Sequence, residues 1–103
     1  MKQFRTYQLA LELYREGKTL NVKGELRDQF ERASLSVVLN LAEGSAKKGK
    51  DRVRFFTVAM GSLRETQACL EIMNSDLANK ADHVAACLHK LIQKPGPGPV
   101  PEG

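Results

Sequence analysis

The sequence predicts an all-α fold, an antiparallel up-and-down four-helix bundle. Apolar residues recur every three or four positions in four segments, no segment alternates as a strand does, and all four prolines follow residue 94. Short polar breaks separate the segments, and short links between helices favour antiparallel neighbours. We therefore expect a four-helix bundle domain at residues 1–94 and a disordered Pro/Gly tail at residues 95–103.

The first two segments have helical periodicity. The first, residues 3–18, presents an apolar stripe formed by Phe4, Tyr7, Leu11 and Tyr14. The second, residues 25–43, is apolar nearly all round between Leu35 and Ala42. A helix of that kind is buried on several sides, so we expect contact with another subunit as well as with its own bundle. Gly44 follows the last periodic residue and suits the left-handed position at which many helices end.

The third and fourth segments complete the bundle. The third, residues 51–74, has a heptad-like repeat at Val53, Phe56, Met60, Leu63, Gln67 and Leu70. Gly61 interrupts this run. Because an interior glycine costs about 1 kcal/mol relative to alanine, we expect a facing helix to approach it closely. The fourth segment, residues 81–94, is short, and Pro95 ends it.

Composition excludes several classes of protein. The chain has 103 residues, of which 42% are hydrophobic and 27% are charged, a balance typical of one globular domain. No apolar run is long enough to cross a membrane and no signal peptide is visible, so we expect a cytoplasmic protein with no membrane partner. The two cysteines lie in apolar helical stretches and are interpreted as small core side chains.

No motif in the sequence indicates catalysis, a metal site or a cofactor. Cysteine and histidine do not occur with zinc-ligand spacing, and the two histidines are placed so that they do not share a helix face. Phosphate-binding loops, nucleophile elbows and metalloprotease motifs are also missing. We therefore expect a protein that is not an enzyme and that binds no metal and no cofactor.

One short segment holds the whole excess of positive charge. The chain carries a net charge of +4, and residues 47–54 contain five cations and one anion, which is also +4. Lysine and arginine neutralise phosphates at long reach without demanding a fixed geometry. The sequence therefore predicts a nucleic-acid-binding surface made of Lys47, Lys48, Lys50, Arg52 and Arg54. A solvated basic loop without a ligand is the alternative interpretation.

Polar residues fall among the apolar positions of the second and third helices. Asn40 lies on an apolar face one turn after Ser36, and a polar residue at a core position fixes register and assembly state in some bundles. The charged residues of these helices suit ion pairs between helices better than acid–base catalysis, which needs a cleft. We predict a structural or assembly role for Arg32, Ser36, Asn40, Glu43, Gly44, Gly61, Ser62 and Glu65.

Two strings resemble the signatures of one family. Residues 32–44, RASLSVVLNLAEG, and residues 54–65, RFFTVAMGSLRE, are similar to the signatures of the four-helix-bundle protein family, also called the ribosomal-RNA intervening-sequence protein family. The resemblance implies an antiparallel bundle that assembles as a ring-like homopentamer, without established enzymatic activity. The family also resembles the accessory protein of diversity-generating retroelements, which implies nucleic acid and a reverse transcriptase as partners.

These observations favour a non-catalytic, oligomeric helical bundle that binds RNA or DNA through basic loops. The alternative is a protein-interaction module whose apolar helix surface docks a nucleic-acid enzyme, such as a reverse transcriptase. In that alternative the protein has no direct role in binding nucleic acid. The sequence does not distinguish RNA from DNA as the ligand.

Overall fold

Four α-helices make up the computed structural model, which describes residues 4–93. They are α1 (Arg5–Gly17), α2 (Gly24–Ser45), α3 (Gly49–Met73) and α4 (Leu77–Gln93). No strand occurs within residues 4–93. The all-α prediction is therefore confirmed. The predicted Pro/Gly tail at residues 95–103 lies outside the described residues.

The helices are arranged as a closed square in which each one packs against two others. α1 contacts α2 and α4, and α3 contacts the same two helices; the most extensive contact joins α2 and α3. Residues 46–48 link α2 to α3, and residues 74–76 link α3 to α4. A three-residue link spans at most about 11 Å, much less than the length of either helix, so α2, α3 and α4 alternate in direction. The ring of Phe4, just before α1, lies 6.1 Å from that of Phe56 in the first half of α3, so α1 runs in the direction of α3. This is the predicted up-and-down bundle.

The core is one apolar cluster to which all four helices contribute. Each helix supplies at least one leucine that is at most 1% exposed, namely Leu13, Leu41, Leu63 and Leu88. Burying a leucine side chain contributes about 1.5–3 kcal/mol relative to leaving it in water. The outer faces of the helices carry the charge, and no helix in the described part of the chain is long and apolar enough to span a bilayer.

The helix ends near residue 75 differ from the sequence prediction. α4 begins at Leu77 rather than at residue 81. Asn74 has a left-handed conformation (φ 55°) that ends α3, and the Ser75 N–H donates to the Leu70 carbonyl at 3.0 Å. The Leu77 N–H then donates to the Ser75 hydroxyl at 3.2 Å, which caps the next helix. These local hydrogen bonds complete the turn within three residues, so α4 is longer than its apolar stripe indicated.

The structure contradicts the predictions made for Gly44 and Gly61. Gly44 lies inside α2, which continues to Ser45 and ends with Ala46 in a right-handed conformation (φ −89°), so the left-handed cap is wrong. A Cβ on Gly44 would lie 2.7 Å from the Phe56 ring, and glycine is needed there because α3 packs closely. No heavy atom lies within 4 Å of a Cβ built on Gly61, so the predicted close helix approach is wrong within the bundle.

Candidate nucleic-acid interface

The basic segment forms the turn between α2 and α3 together with the first turns of α3. The end of α2 is closed by the Ala46 N–H donating to the Glu43 carbonyl at 3.2 Å and the Lys47 N–H donating to the Gly44 carbonyl at 3.0 Å. Gly49 then adopts a positive φ of 54°, a conformation that side chains with a Cβ rarely tolerate. This tight turn holds three lysines at one end of the bundle: Lys47, Lys48 and Lys50.

Four of the five predicted nucleic-acid-binding cations lie at the surface. Lys48, Lys50 and Arg54 are exposed, and Lys47 is partly exposed. We call the surface formed by these four residues the basic end. With the exposed carboxylates of Asp51 and Glu43 beside it, the basic end has four positive charges and two negative charges, a net charge of +2.

Arg52 is the exception among the predicted cations. It is 1% exposed and is the largest fully buried side chain in the described part of the chain. It precedes Phe56 by one helical turn and so lies on the face of α3 that packs into the core. Because its side chain is shielded from solvent, the polar interactions of Arg52 are made within the protein. Contrary to the prediction, Arg52 is not part of a ligand-binding surface.

Two cations of the basic end lie over the ring of Phe55. The Lys47 Nζ is 5.9 Å and the Arg54 Cζ is 4.9 Å from the ring centroid. Each cation also makes an ion pair with a nearby carboxylate, Lys47 with Glu43 at 3.3 Å and Arg54 with Asp51 at 3.6 Å. Exposed pairs of this kind contribute about 0–1 kcal/mol, so both cations are able to turn toward an external anion.

The antiparallel topology adds cations that the sequence analysis missed. The start of α1 and the end of α4 lie at the same end of the bundle as the α2–α3 turn, and the rings of Phe4 and Phe56 are 6.1 Å apart there. Arg5 and Lys90 are both exposed and lie at this end of the bundle. Local charge counting does not find them because they are distant in the chain. The order and direction of the helices are the signal that locates them.

A polar cluster links α2 to α3 midway along the two helices. The Asn40 Nδ2 donates to the Ser36 carbonyl at 2.9 Å and to the Ser36 hydroxyl at 3.2 Å. The Ser36 and Ser62 hydroxyl oxygens lie 2.7 Å apart. The structure therefore brings together three of the residues for which an assembly role is predicted.

The charged residues in that predicted set lie apart from the polar cluster. Arg32 donates to Gln29 on its own helix, and Glu43 pairs with Lys47 in the adjoining turn. Glu65 is exposed on α3. Within residues 4–93, the expected ion pairs between helices are thus not made by Arg32 or Glu43, because both find partners close by in sequence.

The four helices lie within the residues that match a protein-family model. The family model for 23S rRNA-intervening sequence proteins matches residues 4–93. The chain belongs to this family. No curated protein matches the chain, and neither does a solved structure. The resemblance seen in the two signature strings is confirmed, and the family match covers all four helices.

This 23S rRNA-intervening sequence family protein also exposes an apolar face on α2 and α3. Its members on α2 are Leu35 (38% exposed) and Leu39 (57%), and the largest on α3 are Val58 (50%) and Ile72 (71%). On α3 the exposed Gly61, Glu65 and Ala68 lie between Val58 and Ile72 at spacings of three and four, so one carboxylate lies within this otherwise apolar surface. We call this surface, formed by Leu35, Leu39, Val58, Gly61, Ala68 and Ile72, the apolar face.

The two cysteines differ in burial. Both are free thiols; Cys69 is buried in the core, as expected, whereas Cys87 is only partly buried and lies outside the core cluster. Burial, aided by the Glu65 carboxylate, raises the pKa of the Cys69 thiol above its ordinary value of 9.0, which disfavours the nucleophilic thiolate. Among residues 4–93, no group of three or more His, Cys, Asp and Glu side chains is placed to hold a metal ion.

Proposed function

We propose that this protein is a non-catalytic, oligomeric helical bundle that binds nucleic acid through its basic end. One observation carries the proposal: the charge excess of the chain falls mainly on exposed side chains at one end of the bundle. Each phosphate that such a cation neutralises releases condensed counterions, and this release drives binding. Membership of a family named for its relation to 23S rRNA supports an RNA-related role.

The proposed assembly is a homo-oligomer, and the resemblance described above favours a homopentamer. The apolar face supports self-association, because it leaves four large apolar side chains in contact with water in a small protein. Assembly would also strengthen binding. One basic end with a net charge of +2 binds a polyanion weakly, whereas several copies held in one particle bind it multivalently.

The test compares two triple variants with the same change of charge. The first replaces Lys48, Lys50 and Arg54 by Ser, which removes most of the basic end and leaves a good N-cap residue at position 48. The matched control replaces the exposed Arg15, Lys18 and Lys23 by Ser at the opposite end. Binding of RNA and of duplex DNA is measured at several salt concentrations.

We expect the basic-end variant to lose most of its affinity. The slope of log K against log salt should flatten by about 0.7–0.9 for each phosphate that the variant no longer neutralises, while the control keeps the wild-type slope. Equal losses of affinity in the two variants would mean that total charge, rather than the basic end, drives binding. An absence of wild-type binding at low salt would overturn the proposal.

A second candidate function is supported by the apolar face. In this alternative the face docks a nucleic-acid enzyme, such as a reverse transcriptase, and the protein itself does not contact nucleic acid. Purification of the native protein with and without nuclease treatment separates the two functions. A polypeptide that remains bound after nuclease treatment and is released by Leu39→Ser would favour docking, whereas nucleic acid that fails to co-purify with the basic-end variant favours direct binding.

A further inference from the structure

Phe55 differs from the other aromatic residues of the chain. All six aromatics lie within the described residues, and five of them belong to the core or pack against it: Phe4, Tyr7, Tyr14, Phe30 and Phe56. Phe55 does neither and is partly exposed. Its Cβ lies near Gly44, 3.0 Å from the position that a Cβ there would occupy, so the residue is anchored against α2. Core packing therefore does not explain an aromatic ring at this position.

The surroundings of Phe55 are cationic. The Lys47 Nζ and the Arg54 Cζ lie over its ring at 5.9 and 4.9 Å, and Lys48 and Lys50 are exposed in the same turn. The Lys47 distance is close to the limit of about 6 Å at which a cation is attracted to a ring, so this contact is easily exchanged. An aromatic ring surrounded by exchangeable cations is the combination that proteins use to bind single-stranded nucleic acid.

We propose that Phe55 is a stacking platform for an unpaired base, so that the basic end prefers single-stranded nucleic acid to a duplex. This inference rests on the proposed function and adds the class of ligand. In a duplex the faces of the bases are stacked on one another, and the basic end meets phosphates alone. In a single strand a base is able to lie on the Phe55 ring, while Lys47 and Arg54 turn from their carboxylate partners to the neighbouring phosphates.

The first experiment compares Phe55→Leu with the wild type. Leucine keeps an apolar side chain against Gly44 and leaves the net charge unchanged, but it has no ring. Three probes are used: a mixed-sequence single strand, the same strand annealed to its complement, and an abasic strand of equal length. We expect Phe55→Leu to weaken binding of the single strand about tenfold and to leave the duplex and abasic strand within about twofold. Phe55→Tyr, which keeps the ring, should bind like the wild type.

A second experiment reports stacking directly. The chain contains no tryptophan, so Phe55→Trp introduces one indole at the platform, which is excited selectively at wavelengths that the two tyrosines do not absorb. We expect quenching of its fluorescence by the single strand and little quenching by the abasic strand at equal occupancy, because only a stacked base contacts the indole.

The outcomes separate this inference from the proposed function. If the wild type binds all three probes and Phe55→Leu binds them with unchanged affinity, the stacking role is wrong while the basic end remains the binding surface. Equal weakening toward all three probes would assign Phe55 to the shape of the turn and would also overturn the inference. If no probe binds the wild type at low salt, the proposed function itself fails.

Discussion

The hydroxyl oxygens of Ser36 on α2 and Ser62 on α3 lie 2.7 Å apart, which is a hydrogen bond between the two helices that share the most extensive contact. The Asn40 side-chain amide donates to the same Ser36 hydroxyl, so this hydroxyl contacts both Asn40 and Ser62. The link joins the middle turn of α2 to the middle turn of α3, within the helix pair that carries both the basic end and the apolar face.

Removal of either serine hydroxyl should destabilise the bundle modestly. We expect Ser36→Ala and Ser62→Ala each to lower the free energy of unfolding by about 1 kcal/mol, because each leaves its partner without this hydrogen bond. The double variant should be destabilised by less than the sum, with a coupling of about 0.5–1.5 kcal/mol. Urea unfolding of the four proteins measures this coupling. Strictly additive effects would mean that the two hydroxyls do not interact.

Gly44→Ala and Gly61→Ala should have opposite effects on the free energy of unfolding. Gly44→Ala places a Cβ 2.7 Å from the Phe56 ring and should lower the free energy of unfolding by about 1–3 kcal/mol. Gly61→Ala enters open space and should raise it by up to about 1 kcal/mol, because alanine favours the helix. Chemical unfolding checks both. Sedimentation of Gly61→Ala additionally tests whether a second copy approaches this point, since a Cβ there would then weaken assembly.

Polar substitution of the apolar face should dissociate the protein. We expect the wild type to sediment as a multiple of 11.4 kDa and Leu39→Ser/Val58→Ser to approach 11.4 kDa with unchanged helix content. Both side chains are at least half exposed in the bundle, so the fold does not depend on them. His83→Ser/Ala86→Ser, at exposed positions of α4, is the control. A wild type that sediments as a monomer would contradict the prediction.

Arg52→Ala should mainly lower stability, whereas Lys50→Ala should leave stability nearly unchanged and weaken RNA binding. Arg52→Ala removes the largest fully buried side chain and should lower the free energy of unfolding by about 2–4 kcal/mol, because it leaves a cavity and removes polar interactions. Lys50→Ala changes an exposed residue and should stay within about 0.5 kcal/mol of the wild type. Urea unfolding and RNA binding on the same samples check this. Weaker RNA binding by folded Arg52→Ala than by Lys50→Ala would contradict the assignment.

Lys80 should make the bundle sensitive to alkaline pH. Its ammonium group on α4 donates to Glu16 and Glu12 on α1, and these hydrogen bonds raise the pKa of Lys80 above its ordinary value of 10.5. A raised pKa means that the stabilisation is complete below 10.5 and is lost as the pH rises through the higher folded value. Thermal unfolding of Lys80→Met should therefore differ from the wild type at pH 8 and converge with it at strongly alkaline pH. A constant difference would exclude this linkage.

The fold could be predicted from apolar periodicity, but the centre of the buried face of α3 could not. The heptad-like repeat selects Val53 and Gln67, which are only partly buried, whereas the residues that precede them, Arg52 and Thr66, are fully buried. α3 packs against both α2 and α4, so its buried arc is wide, and a polar residue at the centre of that arc leaves no apolar signal.

Only those residues of the basic end that are close together in the sequence could be predicted. Lys47, Lys48 and Lys50 occupy the polar break between the second and third predicted segments, and the structure leaves them exposed or partly exposed. Arg5 and Lys90 lie at the same end of the bundle because of the direction of α1 and α4, which is a property of the whole bundle. The surroundings of Phe55 likewise depend on the conformation of the turn, since Lys47 approaches it from outside α3.

An even number of alternating helices returns the backbone to the side of the molecule from which it started. Phe4 and Gln93 therefore lie on that side, on the adjacent helices α1 and α4. A short linker between them would create a circular permutant whose new termini open in residues 18–23, far from the α2–α3 turn. A fluorophore or an affinity tag attached at the new termini of this permutant lies at the opposite end of the bundle from the basic end. Protein immobilised through that tag leaves the basic end free to contact a nucleic-acid strand in solution.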